Sequence, residues 1–277
     1  MTISRHDAAE LLSRHGLAPR RALGQNFVVD ANTVRRIARL ADVGPGDAVV
    51  EIGAGLGSLT RALVETGATV TAVEVDRGLV GVLRAELEPL GVRVVEDDAL
   101  RLDWAALLAG HDRWVLVANL PYNIATPLVA DLLDEVPAIE RMLVMVQREV
   151  GERLAAPVGA DAYGAVSVKV AYWAEARVVG RVPPTVFLPR PKVESALVAI
   201  RRRPSPAVDP AVVSAELLFR LVRAGFGQRR KMLRRSLAGL VTPEAFVSAG
   251  VRPEARAEEL DVAAWGALAA AASGSTD

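Results

Sequence analysis

Cysteine is absent from this chain of 277 residues, and with it go the functions that need a thiol. No disulfide framework, cysteine–zinc site, iron–sulfur cluster or thiol nucleophile can be built. Histidine is scarce: His6, His15 and His111 show no metal-ligand spacing among them and read as surface residues, so no metal site is expected. Aromatic residues make up only 4%, so any ring committed to a ligand is a meaningful share. Long apolar runs are missing too. The best candidate, Val262–Ala272, falls short of the roughly 18–20 residues that span a bilayer. The N-terminus, MTISRHDAAELLSRHG, carries charges where a secretory segment needs apolar residues. The expectation is a soluble, untargeted protein of the cytoplasm with no membrane partner.

What remains is a globular composition, 51% hydrophobic and 24% charged. The length fits one large domain plus an appendage, or two domains. Net charge is zero, but the distribution is segregated. Residues 1–39 carry net +4, residues 40–176 net −11, residues 177–235 net +11 and residues 236–277 net −4. An acidic body with a separate basic stretch is consistent with an anion-binding face. A solvated, Arg-rich helix surface reads equally well on charge alone.

Along the chain, a helix over 7–15 is followed by a basic turn and Gly24-Gln25-Asn26-Phe27. Asp30 is placed to cap a helix that runs to Ala41. Strand and helix patterns then alternate: strands over 48–52, 69–75, 92–95, 114–118 and 142–146, helices over 58–66, 77–87 and 127–133. Val- and Ile-rich strands without strict alternation are buried on both faces, as in a parallel sheet. After Gly151 the pattern shifts to a helix over 163–170 and strands over 172–182 and 193–200. Helices are then expected over 210–224, 228–240, 243–248 and 262–272. The boundary is placed at 206. Residues 1–206, with a helical lid segment over 1–42, form the larger domain, and 207–277 form a helical one.

Three features converge on one end of the sheet. The loop Glu51-Ile52-Gly53-Ala54-Gly55-Leu56-Gly57-Ser58 joins the first strand to its helix, where glycines permit a tight turn and close approach of a ligand. The dinucleotide pattern would need glycine where Ser58 stands, which argues against a pyrophosphate site. The second strand ends in Glu74-Val75-Asp76, placing an acid to accept from both hydroxyls of a ribose. The third ends in Glu96-Asp97-Asp98-Ala99, with an acid suited to an adenine amino group. Together they point to S-adenosylmethionine (SAM). The fold expected is α/β: a doubly wound, Rossmann-like sheet of the class I SAM-dependent methyltransferase kind, with a small C-terminal helical domain.

The fourth strand ends in Asn119-Leu120-Pro121-Tyr122. An exocyclic adenine nitrogen is a poor nucleophile because its lone pair is delocalised into the ring. The Asn119 side-chain oxygen and a backbone carbonyl near Leu120 or Pro121 can bind its two protons and aim the lone pair at a methyl donor. Tyr122 can stack on the base.

These motifs, in this order, resemble the rRNA adenine N6,N6-dimethyltransferases, and most nearly the bacterial enzymes that act on 16S rRNA. The resemblance extends through Gln147-Arg148-Glu149-Val150, Ala162-Tyr163-Gly164, Phe187–Ser195 and Phe226–Lys231. It implies SAM as cofactor, held by Gln25, Asn26, Val28, Glu51, Gly53, Gly55, Glu74, Val75, Asp98, Ala99 and Asn119. It implies Asn119, Leu120, Pro121, Tyr122 and Phe187 around the target adenine, with Tyr122 and Phe187 sandwiching the base. The implied substrate is a pair of adjacent adenosines in a hairpin loop near the 3′ end of 16S rRNA, within a precursor 30S subunit, and a monomeric enzyme is expected. Arg20, Arg21, Arg223, Arg229, Arg230, Lys231 and Arg234 then become candidates for RNA phosphates. At helical spacing Arg230 and Arg234 share a face. A 23S rRNA dimethyltransferase and a non-catalytic RNA-binding assembly factor on the same fold are the competing readings.

Overall fold

A computed structural model describes residues 3–274. The chain divides into two compact units, one of residues 1–151 and 177–201, the other of residues 152–176 and 202–277. The chain therefore passes between units three times, where the sequence reading places a single boundary at 206.

The first unit opens with α1 (Arg5–Arg14), a short 3-10 turn (Arg21–Leu23), β1 (Phe27–Val28) and α2 (Ala31–Ala41). The alternating series follows: β2 (Ala48–Ile52), α3 (Ser58–Val64), β3 (Thr69–Glu74), α4 (Arg77–Leu87), β4 (Arg93–Glu96), α5 (Trp104–Leu107), β5 (Trp114–Asn119), α6 (Ala125–Glu135) and β6 (Ile139–Gln147). The chain continues through α7 (Arg148–Leu154) and α8 (Ala165–Trp173) to β7 (Ala174–Val182), β8 (Phe187–Leu188) and β9 (Ser195–Arg202). The second unit ends with α9 (Ala215–Gly227), α10 (Leu233–Ser236), α11 (Pro243–Ser248) and α12 (Val262–Ser273). Among the described residues no helix is long and apolar enough to cross a membrane.

Local chemistry sets the helix starts. Asp30 accepts from Thr33 N at 2.7 Å and Asp76 from Gly78 N at 3.0 Å, each capping a helix where orphan amides need an acceptor. Helix α2 buries Val34, Ile37, Ala38 and Ala41, a 3.6-residue stripe against the sheet.

The seven-stranded sheet has the order β4-β3-β2-β5-β6-β9-β7. Strands β4, β3, β2, β5 and β6 pair in parallel, and β9 pairs with β6 antiparallel. An apolar β-branched run reports burial but not direction, so the antiparallel return of β9 was not legible. The chain winds outward from β2 through β3 to β4, then returns to β5 on the other flank of β2. That reversal opens a crevice at the carboxyl ends of β2 and β5.

The second unit packs around Tyr172, Leu218, Leu221, Leu233, Leu237, Trp265 and Leu268. Two expectations need correction here. The helix expected over 163–170 lies at Ala165–Trp173, so Tyr172 is helical rather than in a strand. The helix expected over 228–240 does not form. Only Leu233–Ser236 is helical, because Leu233 N and Arg234 N bond to Ala255 O and Pro253 O instead of to the preceding turn. Residues 228–232 are a turn, so Arg230 and Arg234 do not share a helical face.

Candidate active site

A cleft opens at the crevice, where open α/β sheets bind their ligands. It is lined from four strand ends and from the segment before β1. Of the cofactor residues expected, Gln25, Asn26, Gly53, Gly55, Glu74, Val75, Asp98, Ala99 and Asn119 all line it, as do Leu120, Pro121 and Tyr122. Leu23, Gly24, Phe27, Ile52, Val73, Asp97 and Ile124 also line it and were missed. Most are chain neighbours of motif residues, which is the signal that would have found them.

Three expected residues are elsewhere. Val28, expected to act through its backbone, is absent from the cleft lining, and its side chain is buried in the core. Glu51 lies in a strand whose five residues are all buried, so it sits behind the cleft and not on its wall. Phe187, expected to offer a ring face to a base, is 0% exposed and packs in the core of the first unit. Its backbone is committed as well, to pairing with Val28 and to accepting from Arg5 Nη2 at 2.8 Å.

The glycine loop is left-handed at each glycine, with φ +73° at Gly53, +59° at Gly55 and +77° at Gly57. A Cβ on Gly55 would lie 2.9 Å from Phe27 Cδ1. Gly55→Ala is therefore expected to weaken SAM binding by about five- to thirtyfold if the loop escapes the left-handed strain, about 1–2 kcal/mol, by leaving its ligand-ready shape. Calorimetric titration checks this, and unchanged affinity would show that the loop is not shaped for a ligand.

Glu74 is the electrostatic centre of the cleft. It is 4% exposed, and burial raises its carboxyl above the usual carboxylate range. Backbone donors oppose that shift, chiefly Asp76 N, which reaches Oε1 at 2.9 Å, and Gly55 N, which reaches Oε2 at 2.8 Å. Each oxygen keeps a lone pair, so the carboxylate can hold the loop and still accept from a ribose. Asp98, at the end of β4, accepts from Leu100 N at 3.0 Å and sits half-buried in the wall.

Glu51 is 1% exposed, and its Oε2 has no hydrogen-bond partner among the described residues. Burial pushes its carboxyl up to about 8, the nearby Thr60 hydroxyl lowers it in part, and Glu74 raises it further. The folded chain thus keeps a proton that the unfolded chain releases near 4.5. Stability from this group is complete below that value and is lost as pH rises toward about 8. Glu51→Gln should flatten the fall in unfolding temperature between those limits. Parallel profiles for the two proteins would remove Glu51 as its source.

Asn119 donates from Nδ2 to Asn26 O at 2.9 Å, which fixes which end of the amide is which. Its Oδ1 accepts no hydrogen bond among the described residues. Pro121 O is taken by Ile124 N at 3.1 Å and Ala125 N at 3.2 Å in the first turn of α6. Leu120 O accepts none among the described residues. Of the two carbonyls open to consideration, Leu120 O is the one available. Tyr122 is half-buried, and its phenol is 2.9 Å from the fully buried Ser195 Oγ. Burial raises the phenol above its ordinary value, with Ser195 opposing, so the ring is a neutral platform.

The basic residues are distributed over both units. In the first, Arg21 is exposed and Arg20 pairs with Asp76. In the second, Arg229 pairs with Glu258 and donates to Asp161 O, and Arg234 pairs with Glu254 at 3.4 Å. Arg223, Arg230 and Lys231 are exposed and make no ion pair among the described residues.

The residues present fit SAM. Two acids, Glu74 and Asp98, stand at successive strand ends beside a left-handed glycine loop, and both line the cleft with Gly53 and Gly55. Comparison with known proteins agrees. "Ribosomal RNA small subunit methyltransferase A" of Kineococcus radiotolerans is 47% identical over 97% of this chain and 91% of its own. The protein of the same name from Streptomyces coelicolor is 46% identical over 95% and 94%. Among solved structures, the 23S rRNA methyltransferase ErmE superposes with a TM-score of 0.71 at 28% identity, over 90% of this chain and all of that one. A dimethyladenosine transferase from Plasmodium falciparum shares the fold, with a TM-score of 0.71 at 23% identity over 86% of this chain and 94% of that one. The family model for ribosomal RNA adenine dimethylase matches residues 16–272. A SAM-type cleft that ends in two free acceptors and a tyrosine ring is thus set in a chain that belongs to the ribosomal RNA adenine dimethylase family.

Proposed function

We propose that this protein transfers methyl groups from SAM to the N6 nitrogens of two adjacent adenosines in a hairpin loop near the 3′ end of 16S rRNA, two to each, on the precursor 30S subunit. It does so as a monomer in the cytoplasm. The observation that carries the chemistry is the pair of unpaired acceptors, Asn119 Oδ1 and Leu120 O, beside Tyr122 at the mouth of the cleft. Bound SAM supplies an electrophilic methyl group on a sulfonium. Glu74 and Asp98 hold the nucleoside end of the cofactor by its hydroxyls and its amino group. Asn119 Oδ1 and Leu120 O accept the two N6 protons and draw the nitrogen toward tetrahedral geometry. Tyr122 holds the base by its face. No strong base is needed, because the methylated nitrogen is acidic and loses its proton to water. The first unit would carry the chemistry. The exposed Arg223, Arg230 and Lys231 of the second would contact phosphates, with Arg21 adding to them, and so would make affinity salt-dependent.

Support for the small-subunit substrate comes from the relatives at 46–47% identity, against 28% for the 23S enzyme. Intact acceptors weigh against a non-catalytic assembly factor. Parallel assays on unmethylated 30S particles and on naked 23S rRNA test the choice. Transfer to the 30S particles is expected, and transfer to 23S rRNA alone would reject it.

A further inference from the structure

Asp76 is 3% exposed, and a buried carboxylate is costly unless its oxygens are matched. Apart from the amide of Gly78 that it caps, its partners all come from the segment before β1. Its Oδ2 accepts from Gln25 Nε2 at 2.8 Å, and its Oδ1 lies 3.3 Å from Arg20 Nη1. Gln25 is bonded at both ends, because its Oε1 accepts from Arg20 N at 2.8 Å. The next residue, Asn26, turns its carbonyl to Asn119 Nδ2. A continuous set of bonds therefore runs from Asp76 to the Asn119 amide.

We propose that Asp76 is a positioning residue for methyl transfer: through Gln25 it fixes the loop whose Asn26 carbonyl sets the polarity of the Asn119 amide. This rests on the role given to Asn119 above. An amide side chain is nearly symmetric in shape but not in polarity. If Asn26 O shifts away, the Asn119 amide can turn over and present NH₂ where the adenine N6 protons need an oxygen. Donor would then face donor. Asp76 and Gln25 prevent this without touching the substrate nitrogen. Arg20, expected to bind RNA, is part of the same clamp.

The test exchanges the two partners. Gln25→Glu sets a second carboxylate against Asp76. The double variant Gln25→Glu/Asp76→Asn restores the bond with donor and acceptor reversed, and retains an oxygen to cap α4. Gln25→Met removes donor and acceptor alike. Single-turnover methyl transfer to unmethylated 30S subunits, at saturating SAM and saturating subunits, is the readout. Gln25→Glu and Gln25→Met are expected to be slower by about tenfold or more, as loss of alignment near a reacting centre requires. The double variant is expected to recover to within about threefold of wild type, and subunit binding is expected to be unchanged throughout. A merely structural contact would lower the unfolding temperature of Gln25→Glu and Gln25→Met and leave the transfer rate at saturating SAM and subunits unchanged. Full-rate transfer by Gln25→Glu, or a double variant no faster than Gln25→Glu, overturns the proposal. Wild-type protein that transfers nothing to 30S subunits would instead defeat the functional reading itself, a distinguishable result.

Discussion

Asn119→Ala is expected to slow methyl transfer roughly 10²–10³-fold, the scale on which a preorganised polar group acts at a reacting centre. The argument is one of supply. Burial leaves Tyr122 neutral despite the bond to Ser195, Pro121 O is taken by α6, and no carboxylate of the cleft stands beside Leu120 in sequence. Leu120 O alone then holds one N6 proton, and the other is left to water. RNA binding should stay near wild type, because the basic residues proposed to contact phosphates lie in other elements. SAM affinity should change little by comparison with the rate. Asn119→Asp is informative beside it. An acceptor oxygen is kept, but a carboxylate would face Asn26 O without a donor, so recovery should be partial. RNA affinity falling in step with the rate would show that Asn119 binds substrate and does not activate it.

The second large effect is on the cofactor. Glu74→Ala should weaken SAM binding by roughly 10²-fold, because hydrogen bonds to a charged group are worth about 1.5–3 kcal/mol each. The loss has two parts. The ribose loses its acceptor, and the buried amides of Gly55 and Asp76 lose theirs, which loosens the glycine loop. A fall in unfolding temperature without ligand should accompany the loss of affinity. Calorimetric titration with SAM measures the first part and thermal unfolding of the free protein the second. Unchanged affinity would remove Glu74 from the site.

Much of the cleft was legible in the sequence because it is built from strand ends. Once apolar runs fix where β2, β3, β4 and β5 stop, the residues just past them must share one edge, and Gly53, Glu74, Asp98 and Asn119 follow. What was not legible depends on contacts between distant parts of the chain. Ser195 meets Tyr122 across 73 positions, and Gln25 meets Asp76 across 51. No local pattern encodes either pair. Glu51 has the spacing of a site residue, yet it is buried off the cleft wall, and Phe187 is taken by the core. The helix expected over 228–240 fails for the same reason, since the amides of Leu233 and Arg234 bond to Ala255 O and Pro253 O, 22 and 19 positions ahead.

The most direct measurement is transfer of tritiated methyl groups from SAM to unmethylated 30S particles, followed by nucleoside analysis of the 16S rRNA. Label recovered as N6,N6-dimethyladenosine, and lost in Asn119→Ala, is the predicted result. Label on any other nucleoside, or undiminished label with Asn119→Ala, would contradict the assignment of Asn119 and Leu120 as the acceptors that activate adenine N6.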